Sequence, residues 1–96
     1  MNIYELIKNK RDEIIKVAAK YGARNVRIIG SVARMEANSN SDIDFLVEME
    51  SGRTLLDHAA LILELEELLQ CKVDIASDRG LRKRVRETVL MEAVPL

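Results

Sequence analysis

The sequence predicts a small α/β domain of the α+β kind, one mixed three-stranded sheet flanked by helices in the order α-β-α-β-α-β-α. Three observations predict it. Short apolar runs of strand length at 25–29, 42–48 and 72–76 alternate with segments whose apolar residues recur at helical spacing. The helical segment between the second and third runs is long enough for a crossover, so those two strands can pair parallel. Ninety-six residues, 48% apolar and 32% charged, support one domain, 1–96, around one modest core.

Each element has its own signal. Met1 to Tyr21 is expected as one helix, because Ile3, Leu6, Ile7, Ile14, Ala18 and Tyr21 fall near one face and Lys and Arg on the other. Gly22 is a natural C-cap. Asn25 to Ile29 is the first strand, Val32 to Ala37 a short helix, and Asn38-Ser39-Asn40 a polar loop. Asp42 to Glu48 is the second strand and Ser51-Gly52 a turn. Thr54 is the N-cap of a helix running to about Leu69. Lys72 to Ala76 is the third strand, and Ser77 or Asp78 starts a last helix over roughly Leu81 to Ala93.

On the long helix, Leu55, Ile62, Leu65 and Leu69 are expected to face the sheet. Leu56, Ala59, Ala60 and Leu63 form a second stripe, which the first helix is expected to cover; left bare, it would be a dimer or partner interface. Arg79, Arg82, Lys83, Arg84 and Arg86 read as a solvated face, with contact to an acidic partner or RNA as the sharper alternative. His58 reads as a structural residue and Cys71 as a small core residue.

Composition narrows the classes. A net charge of −1 gives no global field toward nucleic acid or anionic membrane, so direct nucleic-acid binding is not expected. No run reaches the ~18 apolar residues of a membrane span. The first residues, MNIYELIKNKRDE, are polar and charged, unlike a secretory signal. A single cysteine excludes an internal disulfide and, with one histidine, argues against a zinc site. A cytoplasmic location is expected.

The stretch GSVARMEANSNSDIDFLV, 30–47, carries the chemistry. In a strand, residues i and i+2 share a face, so Asp42 and Asp44 project together and Ile43 and Phe45 the other way. Two like charges so close repel, and a hard divalent cation between them would make the arrangement favourable. Gly30 lets a backbone or ligand approach closely. The turn after Gly30-Ser31 would aim free N–H groups at a phosphate. Asp74 puts a charge inside an apolar strand; beside the second strand it can join Asp42 and Asp44, whereas at an edge it would only discourage aggregation.

G-S-x-A-R, then S-D-x-D and an apolar strand, resembles the nucleotidyltransferase superfamily related to DNA polymerase beta. The resemblance covers nearly the whole chain, and the short length is similar to the minimal branch that accompanies HEPN-domain toxins. Many members carry glycine after the arginine, where this chain has Met35. The resemblance implies a nucleotidyltransferase fold and catalytic metal ligands Asp42, Asp44 and Asp74. It implies phosphate or nucleotide contacts from Gly30, Ser31 and, beside them, Arg34, for which a surface ion pair is the alternative. Two Mg2+ ions, for which Mn2+ can substitute, and ATP as substrate are implied as well. The implied reaction moves AMP from ATP to a tyrosine hydroxyl of a HEPN toxin partner, silencing it and making this chain the antitoxin.

Two other readings stay open: a catalytically silent antitoxin that inhibits by binding, and a transferase acting on a small-molecule hydroxyl. The chain has no room for a separate acceptor-binding domain, so the acceptor is expected to be positioned by another protein, with a homo-oligomer as a further arrangement.

Overall fold

The second strand is the spine of the molecule. In the computed structural model, which describes residues 2–38 and 40–96, Ile43, Phe45 and Leu46 have no exposed surface, and Val47 has 1%. Only a strand covered on both faces buries consecutive residues in this way. Each of these side chains contributes about 1.5–3 kcal/mol by leaving water, and truncating Phe45 to Ala would cost about 3–5 kcal/mol.

The elements are α1 (Ile3–Asn9), α2 (Arg11–Lys20), β1 (Ala23–Ile29), α3 (Gly30–Ala33), β2 (Ile43–Met49), α4 (Leu55–Leu69), β3 (Val73–Ser77), a 3₁₀ turn (Asp78–Gly80), α5 (Lys83–Glu92) and β4 (Val94–Pro95). The strand order is β3-β2-β1-β4. β2 and β3 run parallel, joined by α4 as expected, and β1 is antiparallel to both β2 and β4. The sheet is mixed, but it has four strands rather than three. The extra strand is two residues long and pairs Val94 with Ile28 and Pro95 with Arg27, too short for a periodic signal. Leu96 continues the tie through its N–H to the Val26 carbonyl and its own carbonyl to the Arg11 side chain.

Several boundaries move for identifiable reasons. The single first helix is two, broken at Lys10, where an unbroken polar run from Lys8 to Glu13 offers no buried contact to hold one axis. The two expectations that fall on Met1 and Ser39, a helix start and part of a polar loop, lie outside the described residues. The last helix starts at Lys83, not Leu81, and Asp78 opens the 3₁₀ turn instead.

Thr54 caps α4 as expected, with a full capping box: its Oγ1 accepts from Leu56 N–H, while the Asp57 carboxylate accepts from Thr54 N–H. Leu61, Leu65 and Leu69 face the core, flanked by half-buried Ile62. Leu55 does not, being 86% exposed. It lies six residues before Leu61, roughly 240° round the helix at 3.6 residues per turn. The second stripe is bare as well, with Leu56 and Leu63 exposed. The helix expected to cover it, α2, instead meets α4 along Glu64, which receives hydrogen bonds from Lys20 and the Tyr21 hydroxyl. Among the described residues no helix is long and apolar enough to cross a membrane.

Candidate active site

One register row crosses three strands. Ile29, the last residue of β1, lies opposite Asp44 of β2, and Asp44 lies beside Asp74 of β3. Adjacent strands are about 4.8 Å apart, so two carboxylates sit side by side on one face, with Gly30 next to them. Ile43 and Phe45 point into the core and Asp44 is half-buried on the other side, as the alternation requires. β3 is an edge strand, so Asp74 is exposed rather than central.

Gly30 meets two demands at once. Its φ is +73°, in the left-handed region, and a Cβ there would collide with the Asp44 carboxylate. The glycine therefore lets the strand turn and lets the carboxylate lie against the backbone. α3 begins here, and its four residues end in a Schellman arrangement: Met35 N–H donates to the Val32 carbonyl and Glu36 N–H to that of Ser31. The expected helix over Val32–Ala37 is thus shifted and cut short. The residue at the left-handed position is Met35, φ +60°. Beyond it, Ala37 N–H donates to the Tyr4 hydroxyl, anchoring the following loop to α1.

The electrostatics are those of an anionic cluster only partly compensated within the chain. The Asp44 carboxyl is pushed above the usual range by burial first, then by the charges of Asp74 and Asp42; only Arg34 opposes the rise. Asp42 makes no hydrogen bond or ion pair with another described residue, and neither does the Ser31 hydroxyl. Asp74 turns one oxygen, Oδ1, back to the N–H of Ile75 at 3.0 Å, and Oδ2 has no hydrogen bond with another described residue. Arg34 is engaged elsewhere, by Glu36 at 3.1 Å and Glu92 at 3.4 Å, so the ion-pair alternative is realised. Both partners hold its guanidinium protonated, Glu36 most strongly.

Of the expected site residues, the fold brings Gly30, Asp44 and Asp74 into one row, couples Asp42 and Arg34 to Asp44 by charge, and places Ser31 directly after the glycine. The donors are all carboxylate oxygens, which suit magnesium or manganese rather than zinc. Among the described residues no three His, Cys, Asp or Glu side chains close round a single point.

Sequence reasoning missed the Arg27–Asp78 pair. Arg27 is 8% exposed, donates to Asp78 Oδ1 at 2.8 Å and holds the Asn25 carbonyl through Nε at 3.0 Å. The only signal was a lone arginine between Val26 and Ile28, and its partner lies fifty-one positions away.

Comparison with known proteins bears on the family and the fold. Residues 7–96 match the family model described as "Nucleotidyltransferase domain". A Methanocaldococcus jannaschii protein with the provisional description of protein adenylyltransferase is 43% identical over 98% of this chain and 97% of its own. A solved structure provisionally described as a minimal nucleotidyltransferase superposes with a TM-score of 0.88 at 54% identity, covering 96% of this chain and 94% of that one. A toxin–antitoxin structure with AMP-PNP shares the fold at a TM-score of 0.76 and 21% identity, over 88% of this chain and 69% of that one.

Proposed function

The chain belongs to the nucleotidyltransferase domain family, and from that premise we propose that it transfers AMP from ATP to a hydroxyl of a partner protein, a tyrosine of a HEPN toxin, and so acts as an antitoxin. The observation that carries the reading is the row Gly30–Asp44–Asp74. A left-handed glycine packs against a half-buried carboxylate whose neighbours are further carboxylates, and Arg34 offsets their repulsion only in part. A fold gains no stability from that arrangement; a triphosphate with its cations would complete it.

Asp42, Asp44 and Asp74 would hold magnesium, two ions in the full reading, with manganese as a substitute. Magnesium bound by few carboxylates completes its shell with triphosphate oxygens and water. When bound, the ions supply positive charge to the transferring phosphoryl group.

The chain's own residues do the rest. Gly30 exposes backbone for the terminal phosphates, and the unbonded Ser31 hydroxyl donates to them. Asp74 Oδ2 is free to take the proton as the acceptor oxygen attacks the α-phosphorus and the bond to pyrophosphate breaks. Arg34, held beside Asp44 by Glu36 and Glu92, adds positive charge near the row. The toxin–antitoxin structure with AMP-PNP supports both the nucleotide and the kind of partner. The bare Leu56/Leu63 stripe supports a docking face outside the site.

The test is AMP incorporation into the protein encoded beside this one, by wild type and by Asp42→Ala. Label that appears with wild type alone supports the reading. Tight binding without label from either would establish a silent antitoxin.

A further inference from the structure

We propose that a second cavity, walled by β1, the end of β2, the 3₁₀ turn and α5, binds a small phosphate dianion. The cavity measures about 210 Å³ and collects Arg24, Arg79 and Arg86 from three different elements. Three guanidiniums in one cavity repel each other unless an anion joins them, and their planar forks match phosphate oxygens.

The anions already present are engaged. Asp78 is held by Arg27 at 2.8 Å. Glu48 accepts from Asn25 at 3.2 Å through one oxygen and keeps a long 3.6 Å contact to Arg24 through the other. Arg79 and Arg86 have no hydrogen bond or ion pair with another described residue. Arg24, Arg27, Arg79 and Arg86 thus carry four positive charges against the two of Glu48 and Asp78. This local excess of two stands in a chain whose net charge is −1. A dianion balances it; a single carboxylate does not. The Ser77 hydroxyl supplies a neutral donor at the same wall.

Size sets the ligand class. Sites for drug-sized molecules span about 300–1,000 Å³, so a cavity of about 210 Å³ suits phosphate or pyrophosphate better than a larger ligand. It is also separate from the carboxylate row. Glu48 lies four residues past Asp44 and Ser77 three past Asp74, about 13 and 10 Å along strands that rise ~3.3 Å per residue. Two members of the basic run at 79–86 thereby acquire a shared target, while Arg82, Lys83 and Arg84 stay solvated.

The test is metal-free titration with inorganic phosphate and with pyrophosphate, followed by calorimetry and by backbone amide shifts. Binding at millimolar phosphate should perturb the amides of Arg24 and of 77–80, leave 30–33 unmoved, and weaken as salt rises. Arg79→Gln/Arg86→Gln should weaken it about tenfold or more, and both positions are exposed, so the variant folds. Asp42→Asn/Asp44→Asn should leave it unchanged, which separates this site from the one proposed for nucleotide. No binding at millimolar concentrations, equal affinity in the arginine double variant, or shifts confined to 30–33 would each overturn the proposal.

Discussion

Charge is built into this sheet twice, and in opposite ways. Toward the 3₁₀ turn, Arg27 and Asp78 are opposite in sign, nearly buried at 10% and 14% side-chain exposure, and bonded at 2.8 Å. In the row beside Gly30, Asp42, Asp44 and Asp74 are alike in sign and partly open to solvent, with Arg34 the one cation that lowers the Asp44 carboxyl. The first arrangement satisfies itself within the chain. The second is balanced only in part by Arg34, and in the proposed function the remaining counter-charge comes from outside the chain. A charged group at a strand is therefore no sign of function by itself; what distinguishes the two is whether its counter-charge is supplied by the fold.

The sharpest way to break that contrast is to remove one member of each. Asp78→Ala leaves Arg27 buried with its bond to Asp78 gone, which should cost about 3–5 kcal/mol in urea unfolding. A cost no larger than that of an ordinary surface substitution would show that Arg27 finds water or another acceptor, and the contrast would fail.

Asp44→Asn should behave in the opposite sense: transfer is lost, while stability at neutral pH stays the same or rises. The sign follows from the raised carboxyl. A carboxyl whose pKa is higher in the folded state than in the unfolded one opposes folding once ionised. That penalty is absent well below the carboxylate range and grows as pH rises through it. The melting temperature of Asp44→Asn relative to wild type should therefore improve from acid to neutral pH, and the advantage should shrink when magnesium and nucleotide are added. A variant strongly destabilised at every pH would make Asp44 a structural group.

These two regions also show what was legible in the sequence. The carboxylate row was legible because its residues are close in sequence: Gly30-Ser31 and Asp42-x-Asp44 lie on one hairpin, and Asp74 follows from the parallel crossover through α4. The Arg27–Asp78 pair was not, since neither residue has a local pattern and only the fold brings them together. The same limit applies to β4, whose two residues pair only because Ile28 offers an edge. Leu55 failed for another reason. Apolar residues cover most of the circumference of α4, so periodicity alone left the helix phase ambiguous by about a third of a turn.

Within the proposed site, Ser31→Ala asks whether the unbonded hydroxyl waits for phosphate. A hydrogen bond to a charged group contributes roughly 1.5–3 kcal/mol, so kcat/KM for ATP should fall about tenfold to a hundredfold, with backbone donors and carboxylates remaining. An unchanged rate at limiting ATP would show that the serine does not touch the nucleotide. The bare face of α4 asks the parallel question of the partner. Leu63 is 67% exposed, and Leu63→Glu should weaken the complex with the partner about tenfold while leaving nucleotide affinity intact. Full-strength binding in size exclusion and surface kinetics would move the docking face to the rim between Met35 and Asn40.

The smallest effect lies at Met35, and it tests whether the turn that shapes the site tolerates a side chain at a left-handed position. Gly30 at φ +73° and Met35 at φ +60° bracket α3, and both are left-handed. Gly30 cannot change, because a Cβ would strike Asp44. Met35 is 72% exposed, so its side chain gives up little if removed. A non-glycine residue held left-handed costs about 1 kcal/mol or somewhat more, whereas glycine loses additional chain entropy on folding, about 0.4–1 kcal/mol. The two nearly cancel, with a small balance toward glycine. Met35→Gly should therefore raise stability by roughly 0.5 kcal/mol and leave transfer unchanged, because the hydrogen bonds from 35 and 36 to Val32 and Ser31 stay in place. Met35→Val carries a β-branched side chain into the same conformation and should lose about 1 kcal/mol or more. Equal melting temperatures for the Gly and Val variants would mean that the backbone at 35 leaves the left-handed region in solution. Ser31 would then be held by something other than the Schellman turn.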